Sequence, residues 1–264
     1  MASFEQARPM LEKGVAVISS CEELLFPAHR APELTVEIDA LCRESGGRIL
    51  GTGVNPGFVL DVLPSCLSMV TRSVSGVYGE RVVNASLRRG PLQKKIGSGL
   101  APSEFQRLWQ EGKAGHAGFQ ESLLLVAHAM GWHMENLTET LEPVVAEKEI
   151  RTEFFHVLPG QTRGLHQIVK AESAEGHKIY LDLKMILAAE DPHDYVRLES
   201  DPPIEAYLKD GVSGDKATVA SLVNAIPRLL ASPPGVRLMT DIPLAAPLTT
   251  WGWKSTRSGP TMPV

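Results

Sequence analysis

Val15-Ala16-Val17-Ile18 is a wholly apolar run with a helical pattern on either side of it. Four apolar residues without polar alternation suit a strand covered on both faces, as in a parallel sheet. Ahead of it, Ser3 to Lys13 places Phe4, Ala7, Met10 and Leu11 on one helical face, and Gly14 stops that helix. Behind it, Leu34 to Ser45 sets Leu34, Ile38, Leu41 and Cys42 on one face and ends at Gly46-Gly47, and Arg48 to Gly51 reads as a second strand. This alternation is α/β architecture. A complete doubly wound domain has several units before this point. The expectation is therefore a partial Rossmann-type parallel sheet, its first half missing, over residues 1–58.

The turn Gly51-Thr52-Gly53-Val54-Asn55-Pro56-Gly57 follows the second strand. Its glycines are spaced GxGxxxG, one residue longer than the dinucleotide fingerprint, and no acidic residue closes a strand twenty residues on. Pro56 removes a backbone donor that a phosphate-binding turn would use. The stretch is read as a tight turn, either a plain strand-to-helix connection or the wall of a ligand pocket.

The pattern changes after residue 58. A helix is expected from Pro56 to about Arg72, a strand from Val77 to Leu87, and a basic loop from Arg88 to Leu100. Short helices are expected from Pro102 to about Gly112 and from Gly115 to Gly131. Leu137 to Ile150 and Leu165 to Ala189 read as strands. Ile179 to Met185 alternates with period two, the mark of a sheet with one free face, and Glu175-Gly176 supplies a hairpin turn. Asp215 to Leu230 is a helix with Val219, Leu222, Val223 and Ile226 inward. Residues 59–250 are thus expected to form an α+β substrate and oligomerisation domain with an open mixed sheet, and residues 251–264 a loose tail.

Composition limits the partners. A net charge of −5 over 264 residues gives no basic field for nucleic acid. No apolar run has the length of a membrane span. Cys21, Cys42 and Cys66 form no CxxC pair, and the histidines form no HxxxH or HxH, so no metal site is expected. An odd cysteine count without a secretory leader fits a reducing cytoplasm.

Few residues suit chemistry. Glu22 and Glu23 follow the C-terminal end of the first buried strand, the edge where open α/β sheets bind ligands. A carboxylate there serves as a general acid/base or caps a helical turn. Asn55 offers an amide and tolerates unusual backbone angles. Arg81 and Asn84 share a strand at a spacing that sends them to opposite faces. Lys94 and Lys95 either meet phosphates or are solvated. His116 stands at a helix start as a ligand contact or a cap.

Several stretches in order resemble the dihydrodipicolinate reductase-like superfamily, in its 2,4-diaminopentanoate dehydrogenase and native amine dehydrogenase branch. They are Val17 to Leu24 (VISSCEEL), Thr52 to Phe58 (TGVNPGF), Gln93 to Gly97 (QKKIG), Gly115 to Ser122 (GHAGFQES), Asp191 to Asp194 (DPHD) and Gly214 to Thr218 (GDKAT). The resemblance implies an NAD- or NADP-dependent oxidoreductase that interconverts an amine, or an amino acid like 2,4-diaminopentanoate, and a ketone with ammonia. It implies Glu22, or else Glu23, as the catalytic carboxylate. Asn55, Arg81, Asn84 and His116 are the implied substrate contacts, with Arg81 as partner for a substrate carboxylate. Ser20, Cys21, Asn55, Pro56 and Gly57 are the implied cofactor contacts. The family's Gly-rich first turn has no counterpart here, so the chain reads as N-terminally truncated. That leaves two alternatives: a non-catalytic remnant that keeps the assembly domain, or a related cyclic-imine reductase. A homodimer or higher homo-oligomer is the implied assembly.

Overall fold

A computed structural model describes residues 1–247. The first helix, α1 (Ala2–Leu11), leads into β1 (Ala16–Ser19), and α2 (Pro32–Ser45) leads into β2 (Arg48–Gly51). These two strands run parallel, Val17 beside Ile49. Val17 and Ile49 face α1 and α2, where Phe4, Leu11, Ile38 and Cys42 are buried. Ala16, Ile18 and Leu50 face the opposite side; β2 is buried from Ile49 to Gly51, whereas β1, at the edge of the three-stranded sheet, is only half-buried and Val15 lies exposed ahead of it.

The next elements are α3 (Val62–Ser68), β3 (Ser73–Asn84), α4 (Gly90–Lys95), α5 (Pro102–Gln110), α6 (Phe119–Met130) and β4 (Met134–Val145). Two two-residue strands, β5 (Ile150–Arg151) and β6 (His156–Val157), precede β7 (Thr162–Ser173), β8 (Lys178–Ile186), β9 (His193–Asp201) and β10 (Ile204–Lys209). The chain returns through α7 (Gly214–Ala231) and β11 (Gly235–Arg237). The larger sheet has the order β10-β9-β3-β8-β7-β4, with only β3 and β8 parallel. The expected hairpin joins β7 to β8, with Gly176 at φ +87° in its turn.

Helix α3 lies against β3 and β9, and α6 against β4, β7 and β8. Ile179, Leu181, Leu183 and Met185 of β8 point to the helices and into the main core. The other face, which no helix covers among the described residues, carries Tyr78 stacked on Tyr180 at 5.5 Å, with Tyr195 5.9 Å from Tyr78. The alternation read at 179–185 is this division between two faces.

Strand β11 pairs in parallel with β2, and α7 covers β1 and β2. Residues 214–237 therefore complete the parallel sheet begun at residue 16.

Four expectations are corrected. The helix after Pro56 does not start there: turns occupy the stretch until α3 at Val62, because Asp61 breaks the helical path at φ −139°, ψ −69° and takes the N–H groups of Gly57 and Val62. The basic loop contains α4, with Pro91 in its first turn. The helix expected from Gly115 starts at Phe119, because Gly115 and Gly118 have φ of +100° and +83°. Along α7 the buried residues are Ala225 and Leu229, while Val219 and Val223 stay exposed. The sheet beneath α7 is three strands wide and reaches only part of the helix. The tail expected at 251–264 lies outside the described residues.

Candidate active site

Strands β1 and β2 are in register, so their C-terminal ends present two turns side by side. After β1, Ser19 Oγ accepts the N–H of Cys21 at 3.0 Å and Glu22–Leu24 closes as a 3-10 turn. After β2, Gly51 leaves room for that turn: a Cβ on it would lie 2.2 Å from the Leu24 carbonyl carbon. The next two glycines serve the same purpose. A Cβ on Gly57 would stand 2.1 Å from Gly53 N, and one on Gly53 would stand 2.7 Å from Pro56 O. The GxGxxxG spacing folds the chain closely on itself and on the Glu22 turn.

Asp61 holds this turn. It is fully buried, its Oδ2 accepts the Gly57 N–H at 2.8 Å and the Ser122 hydroxyl at 2.7 Å, and its Oδ1 accepts the Val62 N–H at 2.6 Å. Burial pushes its carboxyl above the ordinary value, and the three donors oppose that rise.

A third turn, Gly115 to Gly118, closes the site from the α6 side. A Cβ on Gly118 would lie 2.7 Å from Glu22 Cβ and 2.6 Å from Pro56 Cγ. His116 in this turn is clamped by Gln167 of β7, which accepts its N–H at 2.8 Å and donates to its carbonyl at 3.0 Å. Burial, with the positive charges of Lys95, Arg81 and Arg88, pushes the His116 ring down to about 3, and the Asn55 backbone opposes this only in part. Its imidazole is therefore neutral at physiological pH, with Nε2 buried and without a partner among the described residues. Asn55 Oδ1 and Thr52 Oγ1 are likewise buried and unpartnered.

These turns enclose a cavity of about 530 Å³. Of the expected residues, Ser20, Glu22, Asn55, Pro56 and His116 line it. Cys21, Glu23 and Gly57 are adjacent in the chain and are not on its wall. Arg81 and Asn84 line a neighbouring cavity of about 620 Å³ instead. There the Arg81 guanidinium, 3% exposed, donates to both oxygens of Asp194 at 2.7 and 2.8 Å and to the Val212 carbonyl at 2.7 Å. Asn84 Oδ1 accepts the Ser86 N–H at 3.0 Å and caps a turn.

Asp61, Gln167 and Gly118 were not singled out from the sequence. Asp61 had a visible signal, a lone acid inside the apolar run Phe58 to Leu63. Gln167 had none beyond being a polar residue in a strand.

Residues 58–255 match the family of 2,4-diaminopentanoate dehydrogenase C-terminal domains. The 2,4-diaminopentanoate dehydrogenase of Acetoanaerobium sticklandii is 32% identical over 248 residues, spanning 92% of this chain and 70% of that protein. The chain belongs to the 2,4-diaminopentanoate dehydrogenase family. An amine dehydrogenase of Streptomyces virginiae is 22% identical over 267 residues, covering 92% of this chain and 74% of its own. Outside sequence, this family member has the fold of the solved amine dehydrogenase from Mycobacterium smegmatis. That structure superposes with a TM-score of 0.81 at 23% identity, over 93% of this chain and 73% of that one. Among the described residues, no helix is long and apolar enough to cross a membrane.

Proposed function

We propose that the cavity is the amine site of a nicotinamide-dependent dehydrogenase that interconverts an amine and a ketone with ammonia. The carrying observation is the meeting of Glu22, neutral His116 and an Asn55 Oδ1 that has no partner among the described residues, at the C-terminal ends of two parallel strands. Similarity to 2,4-diaminopentanoate and amine dehydrogenases supports the reaction class.

The residues fit the nicotinamide end of NAD or NADP. Asn55 Oδ1 and Thr52 Oγ1 are buried acceptors without partners among the described residues, and glycines let backbone approach closely beside them. Ser20, Asn55 and Pro56 would hold that end. When bound, the cofactor exchanges hydride with the substrate carbon. The chain's own residues supply the proton chemistry. Glu22 takes a proton from the amine nitrogen or from attacking water, and returns it when ammonia leaves. His116, half-buried with its Nε2 atom inaccessible, presents that nitrogen, in the neutral ring, as an acceptor or donor of one hydrogen bond without adding charge beside the reacting carbon. Leu165, Met185 and Leu222 line the cavity and limit water.

Self-association through the helix-free face of the larger sheet belongs to the same proposal, supported by the tyrosine cluster there. Sedimentation of this chain tests it, and a monomer at every concentration overturns it.

The activity test is NAD(P)H formation from 2,4-diaminopentanoate and from simple amines, comparing the wild type with Glu22→Gln. Turnover lost by about 100-fold or more with folding intact supports Glu22 as the proton carrier, within the range of general acid–base catalysis. Equal rates for the two proteins overturn it.

A further inference from the structure

We propose that Glu139 is a positioning residue: by fixing which way the Gln167 amide faces, it holds the His116 turn at the wall of the cavity. The inference rests on the amine-site reading above and adds to it a residue that does not touch the substrate.

Glu139 does not line the amine cavity. It borders a separate hollow of about 350 Å³ that shares Gly115 and His116 with it. On β4, Leu141 stands opposite Gln167 of β7 and Glu139 stands opposite Val169. Residues two apart on a strand share a face, so Glu139 and Gln167 are diagonal neighbours on the side of the sheet that α6 covers. Glu139 Oε1 accepts from Gln167 Nε2 at 2.6 Å, and its Oε2 accepts from Gln120 Nε2 at 2.5 Å. Arg30 borders the same hollow and is engaged with Glu121, so the two amides share the Glu139 carboxylate.

A carboxylate only accepts hydrogen bonds, whereas an amide donates at one end and accepts at the other. Glu139 therefore draws the NH2 end of each amide to itself. For the fully buried Gln167, that leaves Oε1 for the His116 N–H at 2.8 Å and the second hydrogen on Nε2 for the His116 carbonyl at 3.0 Å. Turned the other way, the amide would set N–H against N–H at residue 116 and oxygen against oxygen at residue 139. For Gln120, it leaves Oε1 facing His29 Nε2 at 2.8 Å, and the histidine is then the donor. His29 follows the Glu22 turn in the chain, so one carboxylate links the His116 turn to the segment that carries Glu22.

The role needs an acceptor at position 139 rather than a charge. In Glu139→Gln the new amide still accepts from Gln167. It donates to Gln120, which turns over, and His29 accepts by moving its proton to the other ring nitrogen. Glu139→Leu offers no acceptor at all.

The test compares the wild type with these two variants by two readouts. The first is hydrogen exchange of the His116 backbone N–H, followed by NMR, which needs no turnover. Glu139→Leu should exchange that proton about 10-fold faster or more, and Glu139→Gln should stay within about 3-fold of the wild type. The second is steady-state kinetics with 2,4-diaminopentanoate. Glu139→Leu should lower kcat by about 10- to 100-fold with KM changed by less than about 3-fold, and Glu139→Gln should recover most of that loss. A merely structural role would speed exchange along β4 and β7 alike and leave kcat unchanged, and that result overturns the proposal. Equal impairment of Glu139→Gln and Glu139→Leu overturns it too, for charge would then be what matters. If Glu139→Leu does not fold, Glu139→Thr takes its place, being suited to a strand and too short to reach either amide. Faster His116 exchange in Glu139→Leu, with no turnover by the wild type, would support the positioning role and remove the dehydrogenase reading. Turnover by the wild type, with all three proteins alike in both readouts, would do the reverse.

Discussion

A Cβ added to Gly118 would stand 2.7 Å from the Cβ of Glu22. The turn before α6 and the turn after β1 therefore touch, and only glycine permits it. Gly118→Ala meets two penalties: φ of +83° costs about 1–2 kcal/mol for an L side chain, and overpacking costs about 1–3 kcal/mol more. Urea denaturation should show a lower midpoint with an unchanged m-value. A midpoint equal to the wild type would mean that the two turns are not in contact.

Asp61 and Ser122 separate acceptor from donor. Asp61→Ala leaves the N–H groups of Gly57 and Val62 and the Ser122 hydroxyl buried without an acceptor, at about 1–3 kcal/mol for each group left unsatisfied. Ser122→Ala removes one donor and leaves Asp61 two others, so its cost is about 1 kcal/mol. Thermal or urea unfolding should rank Asp61→Ala far below Ser122→Ala. Equal losses would contradict the central role of the carboxylate.

His116 imposes a pH dependence on stability. Its ring lies at about 3 in the fold, against 6.5 ordinarily. Between those values the unfolded chain binds the extra proton and the folded chain does not. Stability is thus fully present above about pH 6.5 and is lost as pH falls toward 3. His116→Asn should flatten that part of the stability curve. Nitrogen NMR of the wild-type ring should report a neutral imidazole down to pH 5, and a protonated ring there would refute the burial argument.

Arg81 and Asp194 are both nearly inaccessible, with side-chain exposures of 4% and 1%. Removing one charge strands the other, so Arg81→Met should cost about 3–5 kcal/mol. The double variant Arg81→Met with Asp194→Leu should recover part of that loss. Recovery is incomplete because Val212 loses partners for both its N–H and its carbonyl. A double variant less stable than Arg81→Met alone would show that the ion pair was not the source of the loss.

Local pattern made the parallel strands legible. Val15 to Ile18 and Arg48 to Gly51 are short and bounded by glycine or polar turns, which revealed two strands; burial was legible for the second, whereas the first, at a sheet edge, is half-buried with Val15 exposed. Period two at 179–185 revealed a sheet with two unlike faces. Glu22 and Asn55 were legible because the ends of parallel strands lie together in any such sheet. Contacts between distant segments were not legible. Nothing in the sequence near Arg81 announces Asp194, 113 residues later. The GxGxxxG glycines could be separated from a phosphate fingerprint by spacing, yet their partners at Leu24 and Pro56 emerge only in three dimensions. The exposed apolar stripe of α7 misled because period 3.6 reports an apolar face without saying whether a sheet, a cavity or solvent lies opposite.

The return of the chain to β11 has a mechanical effect. The parallel sheet and the larger sheet are joined twice, once through residues 52–61 and again through residues 210–213 leading into α7. A single tether would let the two sheets swivel in any direction. Two crossings leave one easy rotation, about the line that joins them. The cavity borders both: Asn55 and Pro56 belong to the first, and Asp215 and Thr218 follow the second. The walls contributed by Asn55 and by Asp215 thus lie beside the two crossings, the parts of the molecule that such a rotation displaces least.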